Sequence, residues 1–525
     1  MAKKNDFGQY FTPDHVAEFM VGLSTAKKNG KVLEPSSGKG VFIQKLQDAG
    51  FKDIIAYEID KTLEQSVRDA DVRFESFVSA NINEKFDLVI GNPPFIRWKN
   101  LDENLKDELN SNHLWKKYFN SLCDYLCIFA LKSVELLNDG GELIFITPEY
   151  WLNTKHAESL RNYLVENGYF TDIIHFNETP IFNKVASSIV IFRYVKARDK
   201  KNKNINIKKY HSTQKLNSSI LREIADNVAS EKLEVFQRKQ FELNERWTLI
   251  TSDKEDTLAK FEQSCLSTNK GSLFGREGKY ITLGEVADIG NGMVSGLDKA
   301  FQIPDNVQLS KKETQASISV LKGKNMDKYI HGNLHRYIFL NDTNIENEDI
   351  LRKEYPIFFQ LFENYKELLG KRYSYSRKIN YWEWVFLRGF KLFNQPKERI
   401  FVPCKERISH KSYFRFSYVN RGIFPTQDVT AVFLKDDVKE SIYYVLALLN
   451  SDYVFQWLKH KGVVKGNIVE FSEKPLASIP MRLIDWNNKA DIQLHEEITE
   501  DSKKYIETRN ADYLTNINRN IEALF

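Results

Sequence analysis

Cysteine is scarce in this sequence, with four residues in 525. Their irregular spacing provides neither a disulfide framework nor a set of metal ligands. Cys123 and Cys127 are four residues apart on a predicted helix, where small core residues are more common than redox or metal-binding thiols. The sequence therefore predicts that both thiols are buried and that no metal takes part in the function.

Long hydrophobic stretches are also missing. No run reaches the roughly 18 apolar residues of a membrane span, and the basic start "MAKKNDFGQYFTP" lacks the apolar segment of a signal peptide. We expect a cytoplasmic protein with no membrane partner.

The excess of positive charge is small, because 75 Lys and Arg residues stand against 71 Asp and Glu residues. A net charge of +4 does not by itself indicate a nucleic-acid partner, although basic residues can gather on one face. Aromatic residues are abundant, at 13% of the chain, which is typical of well-packed globular structure. A chain of this length predicts at least two domains.

Short apolar runs alternate with helical patterns between residues 30 and 195, which predicts an α/β domain with a largely parallel sheet covered on both faces. One predicted helix ends at Gly140-Gly141, a pair that suits a helix C-cap. The predicted strands are "KVLEP" (31–35), "DIIAYEI" (53–59), "FDLVIGN" (86–92), "GELIFITP" (141–148), "TDIIHF" (171–176) and "SSIVIFRYV" (187–195).

The remainder of the chain has a different texture. The charge run 196–210 predicts a solvated connector, with phosphate contact as the alternative, and residues 228–265 predict a charged helical bridge. From about residue 280, short strands rich in aromatic residues follow. Residues 441–460 predict one strong helix, and the last 40 residues predict a polar helical tail.

The first predicted strand runs into "LEPSSGKGVF", where Gly38 and Gly40 permit a tight turn before a helix. The spacing does not match a phosphate-binding P-loop. Glu58, at the end of the next strand, suits the hydroxyls of a ribose. This pattern alone is compatible with NAD, FAD or S-adenosylmethionine. Glu34 at the first strand's tip favours S-adenosylmethionine, because a carboxylate attracts its ammonium and sulfonium and would repel a pyrophosphate.

A third strand ends in "GNPPF" (91–95), whose two prolines force the chain out of the sheet in a fixed conformation. An exocyclic amino group on a nucleobase is a poor nucleophile, because its lone pair is delocalised into the ring. The Asn92 side-chain carbonyl and the Pro93 backbone carbonyl are two acceptors that can bind its hydrogens. Phe95 can stack on the base. A strand-ending turn without chemistry is the less favoured alternative.

With these motifs, the chain resembles the gamma-class amino-methylating DNA methyltransferases, the N6-adenine kind found in restriction–modification systems. The order of "FGQYFTP" (7–13), "LEPSSGKG" (33–40), "YEID" (57–60) and "NPPF" (92–95) carries the resemblance. It implies a Rossmann-like methyltransferase domain and a C-terminal mixed α/β target recognition domain. We expect the catalytic domain at 1–245, a helical linker at 246–279, the recognition domain at 280–485 and a helical tail at 486–525.

The resemblance also implies roles for single residues. Thr12, Pro13, Glu34, Pro35, Gly38 and Gly40 would lie near the methionine part of the cofactor, Glu58 on its ribose, and Ile59 and Phe77 on its adenine. Asn92, Pro93 and Phe95 would be catalytic, with Asn92 also near the cofactor, and Phe182 in "IFNKVASSIVIF" would clamp a flipped base together with Phe95. One departure concerns the acidic residue that usually precedes the Phe at position 77: Ser76 stands there, with Glu75 one step earlier.

The implied reaction is methylation of the N6 amino group of an adenine in double-stranded DNA, protecting a short site from a separate cognate restriction endonuclease. N4-cytosine methylation is the nearer alternative, although that group more often has Ser at the position of Asn92. A protein-glutamine methyltransferase is a weaker one, and an inactive DNA-binding specificity module disagrees with the intact motifs. A fused restriction enzyme is disfavoured, because too little chain flanks the motifs. We expect a monomer, because one chain carries both catalysis and recognition.

Basic and aromatic residues are interleaved in "YSYSRKINYWEWVFLR" (373–388) and "CKERISHKSYFRF" (404–416). Arg372, Arg377, Lys378 and Arg388 are candidates for DNA contact. For both stretches, a core strand pair with basic residues at its rim is the favoured interpretation, and DNA contact is the alternative.

Overall fold

The computed structural model describes residues 10–525 apart from 64–68, 183–187, 200–202, 228, 267–278, 342–344, 377, 409–411 and 466. The chain divides into two compact units, of which the first ends at Ser252 and the second is Asp253–Phe525. Within the described part of the chain, every helix is too short or too polar to cross a membrane.

The first unit is built around one large sheet, and its elements are named in chain order. Its strands are β1 (Lys31–Glu34), β2 (Asp53–Tyr57), β3 (Asp71–Arg73), β4 (Phe86–Gly91), β5 (Leu137–Pro148), β6 (Gly168–His175), β7 (Ile189–Lys196), β8 (Asn204–Tyr210) and β9 (Leu233–Lys239). Its helices are α1 (Asp14–Gly22), α2 (Val41–Asp48), α3 (Glu103–Ser111), α4 (His113–Tyr118), α5 (Leu126–Leu136), α6 (Glu158–Asn167) and α7 (Ser218–Ala225), with 3-10 turns at Trp98–Asn100, Glu149–Leu152 and Lys155–Ala157.

These strands lie in the order β3-β2-β1-β4-β5-β7-β6-β8-β9. The run from β3 to β5 is parallel, whereas β7 is antiparallel to both of its neighbours. Because successive side chains in a strand point to opposite faces, Leu33 and Val89 pack into one core while Val32 and Leu88 pack into another. The sheet is thus covered on both faces, and the predicted α/β architecture is confirmed.

The second unit contains smaller sheets and short helices. Its strands are β10 (Ala287–Asn291), β11 (Gln302–Ile303), β12 (Ser317–Leu321), β13 (His335–Ile338), β14 (Arg399–Pro403), β15 (Lys405–Arg407), β16 (Ser417–Val419), β17 (Ile423–Pro425), β18 (Val429–Leu434), β19 (Val464–Lys465) and β20 (Ile468–Glu470). Its helices are α8 (Ser252–Ser264, from the last residue of the first unit), α9 (Leu283–Val286), α10 (Asp298–Phe301), α11 (Lys311–Gln315), α12 (Glu348–Glu354), α13 (Pro356–Glu363), α14 (Lys366–Gly370), α15 (Phe390–Phe393), α16 (Ile442–Leu449), α17 (Asp452–Lys461), α18 (Glu473–Ala477), α19 (Lys489–Thr508) and α20 (Ala511–Glu522), with a 3-10 turn at Gly323–Asn325.

Two expectations about charged segments are wrong. The connector predicted at 196–210 contains β8, which pairs with β6 and buries Ile205 and Ile207 completely. Among its described residues, the bridge predicted at 228–265 is helical only in its last part, Ser252–Ser264, whereas Leu233–Lys239 forms β9, which pairs with β8 along its length. Charged side chains on β9 are compatible with its position at the edge of the sheet.

Two further expectations about helix ends need correction. Helix α5 ends at Leu136, and Gly140-Gly141 lies inside β5, where the pairing with β4 shifts register. A Cβ at Gly141 would stand 2.9 Å from the Phe86 carbonyl oxygen, so the glycine permits this irregularity rather than capping a helix. The single helix predicted at 441–460 is two helices, because the Ser451 hydroxyl caps the start of α17.

Candidate cofactor and base-binding site

A cavity of about 350 Å³ opens where the carboxyl ends of β1, β2 and β4 meet. Loops that follow parallel strands gather at this edge of a sheet, which is the usual ligand position in α/β folds. The lining comprises Tyr10, Phe11, Thr12, Asp14, Glu34, Pro35, Ser36, Ser37, Gly38, Lys39, Gly40, Val41, Phe42, Gln44, Glu58, Ile59, Ser76, Phe77, Asn92, Pro93, Pro94, Ile96, Leu105, Tyr125 and Phe129.

Nearly all of the predicted site residues are therefore in one place. Pro13 is outside the lining, at the N-cap position of α1. Phe95 and Phe182 lie next to the cavity rather than in its lining. The predicted motif at 181–192 extends into residues 183–187, which are outside the described residues.

Glu34 is fully buried at the tip of β1. Among the described residues, neither of its carboxylate oxygens has a hydrogen-bond partner. Burial raises the pKa of Glu34 well above its usual value, and the nearby carboxylate of Glu58 raises it further. A buried carboxylate without a partner, in a cavity wall, fits a ligand that brings a positive charge and N–H donors.

The turn after β1 depends on glycine. Gly38 and Gly40 have φ angles of +54° and +84°, which strain other residues, and Gly40 is the N-cap of α2. The Gly38 N–H donates to Glu58 Oε2 at 2.8 Å, and the Asp60 N–H donates to Glu58 Oε1 at 2.8 Å. Each carboxylate oxygen can accept more than one hydrogen bond, so Glu58 retains capacity for a ligand hydroxyl. Burial, the largest contribution, raises the pKa of Glu58.

The side chains of Ile59, Ser76 and Phe77 form another wall. The Phe77 ring is buried and lies 5.2 Å from the Phe129 ring, centroid to centroid. Glu75 is exposed and outside the cavity lining. Of this pair, Ser76 is the residue that lines the cavity, at the position where an acidic residue was expected.

The Asn92 side chain is oriented by the main chain. Its Nδ2 donates to the Tyr10 carbonyl oxygen at 2.6 Å, and its own backbone carbonyl accepts from Ser36 Oγ at 3.0 Å. Its Oδ1 is buried and has no hydrogen-bond partner among the described residues. Because the amide nitrogen is already engaged, the oxygen remains as an acceptor.

Three aromatic rings lie beside this amide. The ring centroids of Tyr10 and Phe95 are 6.0 Å apart in a stacked arrangement, and Phe182 lies 6.0 Å from Tyr10 and 6.5 Å from Phe95. Sequence reasoning did not identify Tyr10. Its position two residues before Thr12, in a motif already assigned to the site, was the available signal.

Two of the four basic residues proposed for DNA contact, Arg372 and Arg388, have main-chain partners in the second unit. Arg372 donates to the carbonyl oxygens of Ser295 (2.8 Å), Asn380 (3.0 Å) and Glu383 (2.5 Å), and Arg388 Nε donates to that of Gly292 at 2.8 Å. These contacts favour a structural role. Among the described residues of 373–388 none lies in a named strand, so the strand pair expected there is wrong. Lys378 is exposed, and Arg377 lies outside the described residues.

Comparisons with known families match each half of the chain separately. The Eco57I restriction-modification methylase family matches residues 26–182, which include the cavity motifs at 33–40, 57–60 and 92–95. The TaqI-like C-terminal specificity domain matches residues 318–481.

Similar proteins span the whole length. The type II methyltransferase M.HindII of Haemophilus influenzae is 46% identical over 526 aligned positions, covering 100% of this chain and 98% of the relative. M.HincII of Haemophilus influenzae is 44% identical, with the same coverage. The type IIL restriction-modification enzyme MmeI, solved in complex with DNA, shares the fold with a TM-score of 0.60 at 11% identity, covering 97% of this chain and 72% of that one.

Proposed function

The chain belongs to the type II DNA methyltransferases of restriction–modification systems, and from this premise we propose that it methylates the N6 amino group of an adenine extruded from double-stranded DNA. S-adenosylmethionine is the cofactor. Its sulfonium supplies an activated methyl group when bound. The fully buried, unpartnered Glu34 in the cavity wall fits the positive charge of the sulfonium.

The Asn92 amide is the observation that supports methylation of an exocyclic amino group, and adenine is preferred to cytosine because N4-cytosine enzymes more often have Ser at this position. Its Oδ1 is an unpartnered acceptor, and the Tyr10 carbonyl prevents the amide from presenting its nitrogen instead. An acceptor here can bind one hydrogen of the exocyclic amino group, while the Pro93 carbonyl binds the other. Both bonds draw the nitrogen toward a tetrahedral form, so its lone pair becomes available. The positioning of the amino group, rather than acid–base catalysis, is then the main contribution to the rate of methyl transfer.

The aromatic rings would hold the extruded base. Extrusion from duplex DNA costs a few kcal/mol, and stacking on an aromatic side chain returns about 1–3 kcal/mol per base. Phe95 and Phe182 are in edge contact, with centroids 6.5 Å apart, so the two rings would have to separate to hold one base between them. We further propose that the methylated site is protected from a cognate restriction endonuclease and that the chain acts as a monomer.

N4-cytosine methylation is the competing reaction, because the amino group of cytosine poses the same chemical problem. The protein-glutamine alternative has no support from the family, whose members are DNA methyltransferases.

Transfer of tritiated methyl groups to unmodified genomic DNA, followed by nucleoside analysis, tests the proposal. We expect N6-methyladenine from the wild-type chain and none from Asn92→Ala. The exposed Asn100→Ala is the matched control and should keep full activity. N4-methylcytosine as the product would replace the adenine assignment, and full activity of Asn92→Ala would refute the role of the amide.

A further inference from the structure

Lys132 is a buried charge in α5, a helix that is otherwise almost entirely apolar and buried. Its Nζ donates to three backbone carbonyl oxygens: Phe77 at 2.7 Å, Val78 at 3.0 Å and Ala80 at 2.7 Å. All three acceptors belong to one short turn, residues 76–80, which the Ala80 N–H closes by donating to the Ser76 carbonyl at 3.0 Å. One ammonium group therefore holds the turn from behind.

The front of the same turn is a wall of the cofactor cavity. Ser76 and Phe77 both line it, and Lys132 Nζ lies 5.0 Å from the centroid of the Phe77 ring. Tyr125 and Phe129, which precede Lys132 by seven and three residues, line the cavity too. Side chains at this spacing share one face of a helix, so a single face of α5 supports this end of the cavity.

We propose that Lys132 is a positioning residue for the cofactor: its ammonium fixes the turn 76–80 and thereby the wall that receives the adenine ring. Lys132 does not touch the cofactor or the DNA base, so its loss should weaken cofactor binding and leave the transfer step largely unchanged. This inference rests on the placement of the cofactor's adenine against Phe77.

The protonation state of Lys132 gives the inference a measurable signature. Burial, the largest influence, lowers the pKa of Lys132 to about 8, against smaller opposing effects from Glu108 on α3, Glu135 on α5 and Glu75 before the turn. A neutral amine has two N–H groups for three carbonyl oxygens, so one acceptor is left facing a lone pair. We therefore expect the adenine wall to loosen as the pH rises through about 8.

The stability of the chain should follow the opposite trend. A lysine whose pKa is lower in the folded than in the unfolded chain makes unfolding less favourable as the pH rises between the two values. Stability and cofactor affinity should thus move in opposite directions over this range.

The probe is 5′-methylthioadenosine, which retains adenine and ribose but lacks the ammonium and the sulfonium. Its binding does not depend on charge attraction to Glu34 or on the titration of its own amine. Calorimetric titrations compare the wild-type chain, Lys132→Arg and Lys132→Met from about pH 7 to about pH 9.5. Loss of one or two hydrogen bonds corresponds to a change in affinity of about tenfold.

We expect the wild-type affinity to fall about tenfold through pH 8, Lys132→Arg to remain flat because it stays charged, and Lys132→Met to be weak at every pH. In both Lys132 variants, the turnover number at saturating S-adenosylmethionine should differ from the wild-type value by less than about twofold. Lys196→Met is the matched control. Lys196 also donates to backbone carbonyls, those of Glu135 and Leu137, and burial lowers its pKa, but its acceptors are not in the cavity wall.

The inference would be overturned if the affinity for methylthioadenosine changed with pH in the same way in the wild-type chain and in Lys132→Arg. It would also be overturned if Lys196→Met lost as much affinity as Lys132→Met. If Lys132→Met does not fold, the comparison of wild type with Lys132→Arg decides alone. If methylthioadenosine binds the wild-type chain and Phe77→Leu with the same affinity, the adenine placement is wrong and the inference fails with it. The proposed reaction is tested separately by the nucleoside product and would stand in that case.

Discussion

Replacing Glu34 with glutamine should make the cofactor-free chain more stable and the cofactor-bound chain less stable. In the free chain, this carboxylate is fully buried with no hydrogen-bond partner among the described residues. At a pH above the raised pKa, removing its charge relieves the burial cost that is specific to the ionised carboxyl, about 1–3 kcal/mol, which raises the melting temperature by about 2–4 °C per kcal/mol for a unit of this size. The lost charge-assisted contacts to the cofactor should lower its affinity about 10- to 150-fold.

The pH dependence of stability has a definite sign. Burial, with a further contribution from Glu58, raises the pKa of Glu34 above its value in the unfolded chain. The stability associated with this group is therefore present at low pH and is lost as the pH rises through the raised pKa. Glu34→Gln should remove that part of the slope. Cofactor affinity should follow the opposite course, increasing as Glu34 ionises.

Thermal unfolding of the cofactor-free chain between about pH 5 and about pH 8, together with calorimetric titration of S-adenosylmethionine, measures both effects. Glu75→Gln is the matched control, because this carboxylate is exposed two residues before Phe77 and should give neither effect. A Glu34→Gln chain that is less stable than wild type, or that binds the cofactor with unchanged affinity, would refute the reasoning.

Three other substitutions test separate parts of the structure. Asn92→Asp places a carboxylate oxygen against the Tyr10 carbonyl, so the rate of methylation in a single turnover should fall by about 100-fold or more. Calorimetry should show a cofactor affinity within about threefold of wild type. Retained activity would contradict the assigned orientation of the amide. Phe182→Leu removes stacking on the extruded base, so kcat/KM for a fully paired duplex should fall about tenfold, with a smaller loss on DNA mismatched at the target, and equal losses on both would argue against a role in extrusion. Gly141→Ala brings a Cβ within 2.9 Å of the Phe86 carbonyl, so chemical denaturation should show a loss of about 1–3 kcal/mol, whereas Gly22→Ala, with open space around it, should be neutral or stabilising.

Much of the candidate site could be predicted because its side chains follow strand ends. Glu34, Glu58 and Asn92 each come at or directly after a predicted parallel strand, and parallel strands place such residues at one edge. The choice between Glu75 and Ser76 could not be made from sequence, since it depends on which side of a turn faces the cavity.

Features that depend on main-chain atoms escaped the sequence analysis. The Tyr10 carbonyl and the three carbonyls around Lys132 leave no trace in side-chain patterns. A lone lysine in the apolar stretch "LCIFALKSVEL" was the one available indication of a buried cation. Strand β8 was missed for a different reason: its alternating Ile205 and Ile207 stand next to a long run of lysines that dominates the local composition.

The contact between Asn92 and the Tyr10 carbonyl has a consequence for genetic experiments. Every residue type at position 10 carries the same carbonyl oxygen. Substitutions there therefore test only the role of the Tyr10 ring and do not remove the hydrogen bond from Asn92. Drift in the side chain at this position leaves the amide oriented, provided that the path of the chain is unchanged. The bond would be exposed by a one-residue deletion between Tyr10 and Thr12, or by a backbone ester after Tyr10, which weakens the carbonyl as an acceptor while every side chain stays in place.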